Sequence, residues 1–205
     1  MSSWKKVLKG LKWTGIGLVA IIVIAVIVRI PHVYNLKKTN EQVAKIHATK
    51  LTLDDVMGKN LPPDPGLEAD KTIEGIDANK NGIRDDVELA IFKEYPNSAK
   101  TRAVLLQYAL ALQMEVIQPF LNADIAFGVA SQQDRAFFCM GEIYPKMGQD
   151  VAVFEAIMKY GKFLSDSQFN TRERKSTHKD FYSLIKSGRI EDSINCDINI
   201  KTYDN

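Results

Sequence analysis

Apolar residues fill one stretch of this chain almost without interruption and are spaced periodically elsewhere. Residues 13–28, between Lys12 and Arg29, carry no charge. Extended to residues 11–30, the run would span about 30 Å as a helix at ~1.5 Å per residue, the hydrocarbon thickness of a bilayer. Lys12 and Arg29 could then snorkel outward at its ends. The run has no polar face, which a helix packed on a soluble core needs only on its outer side but cannot lack altogether. Residues 11–30 read as a transmembrane anchor behind a basic tail at residues 1–10.

Beyond the anchor the pattern is helical. Thr39 and Gln42 form a capping-box pair that predicts a short helix reaching about residue 50. LTLDDVMG predicts a further short turn, with Thr52 as cap and Gly58 as stop. NLPPDPG cannot continue a helix, so residues 59–67 read as a stiff connection closing a membrane-proximal stalk at residues 31–67. A main domain over residues 68–205 follows. Its predicted helices cover about 85–95 ending at Pro96, 98–117 ending at Pro119, 121–144 ending at Pro145, 149–163, and 171–187, the last opened by Asn170 and Glu173 and closed by Gly188. Ile125, Val129, Gln132, Ala136, Cys139 and Ile143 recur at helical steps and line one face, which places Cys139 inside. No long alternating run predicts a sheet. The fold class is all-α, a single transmembrane helix followed by a helical bundle.

Composition bounds the rest. With 205 residues, 45% of them hydrophobic and 25% charged, the chain can bury one sizeable core, which excludes disordered and low-complexity classes. Five basic and no acidic residues lie in residues 1–30, leaving 22 basic against 25 acidic downstream. The soluble part is mildly acidic, and the composition gives no support to nucleic-acid binding. Four lysines, Lys5, Lys6, Lys9 and Lys12, flank the start of the apolar run, against Arg29, Lys37 and Lys38 at and after its end, so the N-terminus is expected in the cytoplasm and residues 31–205 outside it, in the periplasm of a bacterium. VIVRIPHVYNL lacks the small residues of a leader cleavage site, so the anchor is expected to stay attached.

One motif carries specific chemistry. DANKNGIRDDVE, residues 77–88, fits the calcium-loop pattern D-x-[DN]-x-[DN]-G-x5-E at every constrained position. Oxygens from Asp77, Asn79 and Asn81 must converge on one hard cation while Gly82 makes the sharp turn. Ile83 would add its backbone carbonyl, Asp85 would act directly or through water, and Glu88 would close the shell with both oxygens. The segment resembles the EF-hand loop in the form found in bacterial exported proteins, DxNxNGIxDxxE. It lacks a firm entering helix and a partner loop, which favours a structural ion over an opening switch. LPPDPG, the loop with its exit helix, and AKTRAVLLQYALALQ together resemble a family of uncharacterised membrane-anchored bacterial envelope proteins. That resemblance implies a location and a calcium loop, and no activity.

Cys139 and Cys196 are the only cysteines, so in an oxidising compartment they form either one disulfide or two thiols. His32, His47 and His178 show no metal-ligand spacing, and His178 falls on the stripe Arg174, His178, Phe181, Ile185 as an imidazole at the core edge. The charged run TRERKSTHKD reads as a solvated face. Nucleophile-elbow, phosphate-loop and dinucleotide motifs are absent from the sequence. These features point to a non-enzymatic interaction module with an envelope protein as partner, of which an inhibitor or immunity protein is one form. An envelope hydrolase using Glu115, Glu142 or Glu155 stays open, because glycoside hydrolysis needs only two acids at a separation that sequence does not give. A structural spacer is the third reading.

Overall fold

The computed structural model describes residues 2–143, 150–185 and 196–200. Among these residues there are seven α-helices, one 3-10 turn and no strand. The helices are α1 (Ser2–Ala48), α2 (Leu53–Val56), α3 (Asp85–Glu94), α4 (Ala99–Gln113), α5 (Ala123–Gly141), α6 (Val151–Gln168) and α7 (Arg172–Leu184), with the 3-10 turn at Gly66–Asp70. The chain divides into two compact units, Met1–Gln42 and Val43–Asn205.

The first unit holds one helix long and apolar enough to cross a membrane. Its most apolar window has a mean hydropathy of 2.5, and none of that window is buried. Such bare apolar surface is costly in water and favourable in hydrocarbon. The helix does not stop after the anchor: α1 continues through Pro31 and Thr39 to Ala48. The Thr39 capping box is therefore absent, since residues 32–48 contain no glycine or proline to break a helix already nucleated upstream.

In the second unit α4 is the central helix. Twelve of its fifteen residues are buried, because AKTRAVLLQYALALQ has apolar residues all round instead of on one stripe. It packs on α2, α3, α5 and α6. The α5 stripe faces inward as predicted, with Ile125, Val129, Ala136 and Cys139 at zero exposure. The predicted stalk is corrected in its second half. Ile46, Leu51 and Val56 are core residues, and the Val56 carbonyl accepts from Arg102 Nε at 3.1 Å. Three apolar side chains at this spacing bury more favourably on α4 than they hydrate, so only the part before Val43 lies outside the second compact unit.

Helix ends follow local chemistry. Thr52 caps α2 in a reciprocal box with Asp55, and Gly58 takes a left-handed φ of 68° just after it, as predicted. The last helix is capped by Thr171, whose hydroxyl accepts from Arg174 N, and not by Asn170; the expected closing Gly188 lies outside the described residues. α4 ends at Gln113, four residues short of expectation, and Gln118 Nε2 bonds back to the Met114 carbonyl at 2.8 Å. α6 runs on past residue 163 to Gln168 because nothing between them stops a helix; its expected start at 149 lies outside the described residues, and Asp150 is the cap.

A disulfide joins Cys139 to Cys196 across 57 positions of sequence. Nearby, Asp197 accepts from Leu51 N at 3.0 Å and from Arg135 at 2.5 Å, and Asp197 N donates to Gln107 Oε1 at 2.9 Å. The C-terminal segment thus ties the connection between α1 and α2 to α4 and α5. Reduction of this bond is expected to lower stability by up to about 4 kcal/mol in the chain-entropy description, read as a lower urea midpoint with reductant. An unchanged midpoint would show that Asp197 alone holds the segment. Arg174 is fully buried and donates to Ala69 O, Thr72 O, Ile73 O, Asp70 and Asn170. Arg174→Met leaves three carbonyls and a carboxylate without it, and is expected to cost about 3–5 kcal/mol in the same assay.

Candidate metal site

Residues 77–88 run from the end of an irregular segment into the first turn of α3. Asp85 N donates to Ile76 O at 2.8 Å, which brings the two ends of the loop together. Inside it, the Asp77 carboxylate accepts from Asn81 N at 3.1 Å and from Gly82 N at 2.9 Å. Asn81 Oδ1 accepts from Ile83 N at 2.8 Å. Two residues take left-handed backbone, Lys80 at φ 60° and Gly82 at φ 85°. At Gly82 a Cβ would also stand 2.7 Å from Leu110 Cδ1, so the turn needs glycine for conformation and for space. Ile83 is fully buried and plugs the loop into the core.

Glu88 lies one turn into α3 and is 1% exposed. Its Oε2 accepts from Asn79 Nδ2 at 3.0 Å, and the same amide donates to Asn60 O at 3.0 Å. Burial pushes the Glu88 carboxyl up to about 7; the Asn79 and Asn81 amides oppose this, and the charges of Asp55 and Asp85 add to it. The Asn81 Nδ2 atom is itself buried without a hydrogen bond. The site thus holds a carboxylate whose charge is disfavoured and an amide whose nitrogen is unsatisfied, next to each other.

Asp85, expected to act on the ion directly or through water, is engaged by the loop backbone. It is fully buried at the start of α3, and both its oxygens receive the Ala78 N–H, at 3.0 and 3.1 Å. Burial raises its carboxyl, against that bond, and the charges of Asp77 and Asp86 raise it further. Asp86 turns away to Arg84, whose Nε lies 2.5 Å from it. Among the described residues no group of three or more His, Cys, Asp or Glu side chains is placed to hold a metal ion. An ion here would draw on the amide oxygens of Asn79 and Asn81 and the carbonyl of Ile83 as well as on Asp77 and Glu88. An all-oxygen donor set of this kind suits a hard cation such as calcium over a transition metal. The residues fit that ion in their oxygen donors and in the disfavoured Glu88 charge, which a cation beside it would relieve.

The three glutamates of the hydrolase reading are not alike. Glu115 is buried, accepting from Gln133 Nε2 at 2.5 Å and bonded to His178 Nδ1 at 2.7 Å, whereas Glu142 and Glu155 are exposed. Burial raises the Glu115 carboxyl, while His178 and Gln133 oppose the rise. His47, without a motif, meets Gln132 at 2.9 Å. Sequence reasoning missed the Glu115–His178 pair and the part of Asn60 in the loop; residues 63 and 19 positions apart carry no local signal of such contacts. Compared with known proteins, the chain matches no family model, no curated protein and no solved structure.

The sign of the Glu88 effect gives a test without metal. Its folded-state value, about 7, lies above its ordinary 4.5, so between these values the folded state holds a proton that the unfolded chain releases. The Glu88 contribution therefore favours the ion-free fold at about pH 4.5 and below and is lost as pH rises through 7. Melting of chelator-treated protein at pH 5 and pH 8 is expected to show this loss, and Glu88→Gln is expected to reduce the difference. An equal pH difference in the variant would remove Glu88 as its source.

Proposed function

We propose that this chain is a membrane-anchored helical interaction module whose domain is stabilised by one calcium ion in the loop at residues 77–88. The observation that carries the reading is the closed loop itself, with Asp77 wrapped by its own backbone amides and the buried Glu88 set beside Asn79 and Asn81. Its sequence likeness to EF-hand loops of bacterial exported proteins supports the same ion. Asp77, Asn79, Asn81, the Ile83 carbonyl and Glu88 would hold the calcium, and Asp85, already engaged by Ala78, would act through water. The ion supplies positive charge beside buried carboxylates, which offsets their desolvation and mutual repulsion.

The lysines before the anchor support an N-terminus in the cytoplasm and an extracytoplasmic domain. Calcium concentrations outside the cytoplasm suit a loop with three formal charges and an affinity near ~10⁻⁴ M, and an oxidising compartment suits the Cys139–Cys196 bond. The interaction reading, with an envelope protein as partner, is favoured by α6, which leaves Val151, Phe154 and Met158 at 74%, 53% and 49% exposure along one helical face.

The full-length protein in detergent, melted with calcium, with chelator and as Asp77→Ala, tests the ion. At about ten times the dissociation constant, calcium is expected to add roughly 1.4 kcal/mol and a higher melting temperature, with Asp77→Ala insensitive to it. Equal melting in all three conditions would overturn the calcium reading.

A further inference from the structure

Within the unit Met1–Gln42, a shallow groove of about 400 Å³ runs along α1 between Val26, Arg29, Ile30, Val33, Tyr34 and Lys37. These positions advance by steps of three and one, so they form a single face of the helix. Val26, Ile30 and Val33 make its apolar floor, and all three are more than half exposed. None of the most apolar window of this helix is buried by protein, so when the helix crosses a bilayer this face lies against acyl chains.

The same face is basic at its C-terminal end. Trp13 and Tyr34 are exposed and lie about 31 Å apart along the helix, the spacing at which aromatic rings sit at the two membrane–water interfaces. In that register Arg29 lies about 7.5 Å inside the level of Tyr34, where a guanidinium must reach outward or meet an anion. Among the described residues Arg29 has no hydrogen bond or ion pair. Lys38 lies over the Tyr34 ring at 4.6 Å, and Lys37 has only an exposed pair with Glu41 at 3.8 Å. Glu41 is the first acidic residue of the chain, so Arg29, Lys37 and Lys38 leave residues 26–41 with a net charge of +2, counting His32 as neutral.

We propose that this face holds a phospholipid with an anionic headgroup. One acyl chain lies along Val26, Ile30 and Val33, and the phosphate sits level with Tyr34 between Arg29 and Lys37. Positions 29 and 37 are about 12 Å apart along the axis, a gap that two long side chains reaching toward each other close. Arg29 supplies a forked pair of N–H donors to the phosphate, and Lys37 and Lys38 supply charge. A zwitterionic headgroup would bring its own cation beside the two lysines, whereas a phosphatidylglycerol headgroup brings none. The proposal rests on the membrane-anchor reading of α1 and not on the calcium reading.

A reporter at the site tests it. In the full-length chain carrying Trp4→Phe, Trp13→Phe and Tyr34→Trp, position 34 holds the one indole, which keeps the aromatic face under Lys38. The protein is placed in vesicles of phosphatidylcholine and phosphatidylglycerol in which one lipid or the other is dibrominated, and quenching of the indole gives the relative binding of the two lipids at that position. Phosphatidylglycerol is expected to be preferred by at least about tenfold, and Arg29→Gln or Lys37→Gln to remove about fivefold of that preference each. Lys12→Gln, at the other end of the span, is expected to leave it unchanged. Equal quenching by both lipids, an unchanged preference in Arg29→Gln and Lys37→Gln, or loss of preference in Lys12→Gln would overturn the lipid site while leaving the anchor in place. Quenching by neither lipid in protein that floats with the vesicles would give the face to a second copy of the helix and overturn it too. Failure to float with vesicles of phosphatidylcholine alone would overturn the anchor reading itself, and the site with it.

Discussion

Two guanidinium groups with no exposure at all, Arg84 and Arg174, hold the part of this domain that has least regular structure. Between the 3-10 turn and α3 the chain makes few backbone hydrogen bonds of its own, so its carbonyls need other donors. Arg174 answers with all five of its N–H groups, three to the carbonyls of Ala69, Thr72 and Ile73 and two to side chains. Arg84 works in the opposite direction, reaching from the loop to Ser167 O at 2.7 Å and Gln168 O at 2.9 Å while Asp86 balances its charge. A lysine could not replace either, because a point charge cannot span a fan of acceptors. Gly75 belongs to the same arrangement: its φ is 72°, and a Cβ there would stand 2.3 Å from Arg84 Cδ.

The candidate ion loop and the end of α6 are therefore fastened together, since the Arg84 side chain leaves the loop and ends on the Ser167 and Gln168 carbonyls. The two regions differ in their electrostatics. In the loop, carboxylates are crowded and partly buried, and burial raises both Asp85 and Glu88, so positive charge is what the environment lacks. At the α6–α7 corner the acids already have partners, Asp166 with Lys162 and Glu115 hydrogen-bonded to His178.

Burial also explains how polar residues come to occupy the central helix. Gln113 donates to Glu74 O at 2.7 Å and accepts from Gln168 Nε2, and Arg102 bonds Tyr95 O and Pro96 O while lying over the Phe92 ring at 4.9 Å. Each such side chain closes a loop end that α4 passes, so the polar positions of that helix act as fasteners for irregular backbone. Gln107 Nε2 is a buried donor with no partner, and nothing in the structure explains it.

Local pattern was enough to determine the helical class, the apolar N-terminal helix, the inward α5 face with Cys139 on it, the α2 cap at Thr52, and the motif spacing at residues 77–88. Each of these depends on residues within a few turns of one another, where periodicity, capping and turn chemistry are decided. Tertiary structure decided the rest. It placed residues 46–56 in the core, where the sequence suggested a stalk, because the value of burying three apolar side chains depends on α4 being there to receive them. It moved the last cap from Asn170 to Thr171, because Asn170 is taken by Asp70 and Arg174, and it turned Asp85 onto Ala78. It paired Glu115 with His178. Those contacts join positions tens of residues apart, and no local spacing encodes which buried acid meets which base; only packing the helices brings them within hydrogen-bond reach.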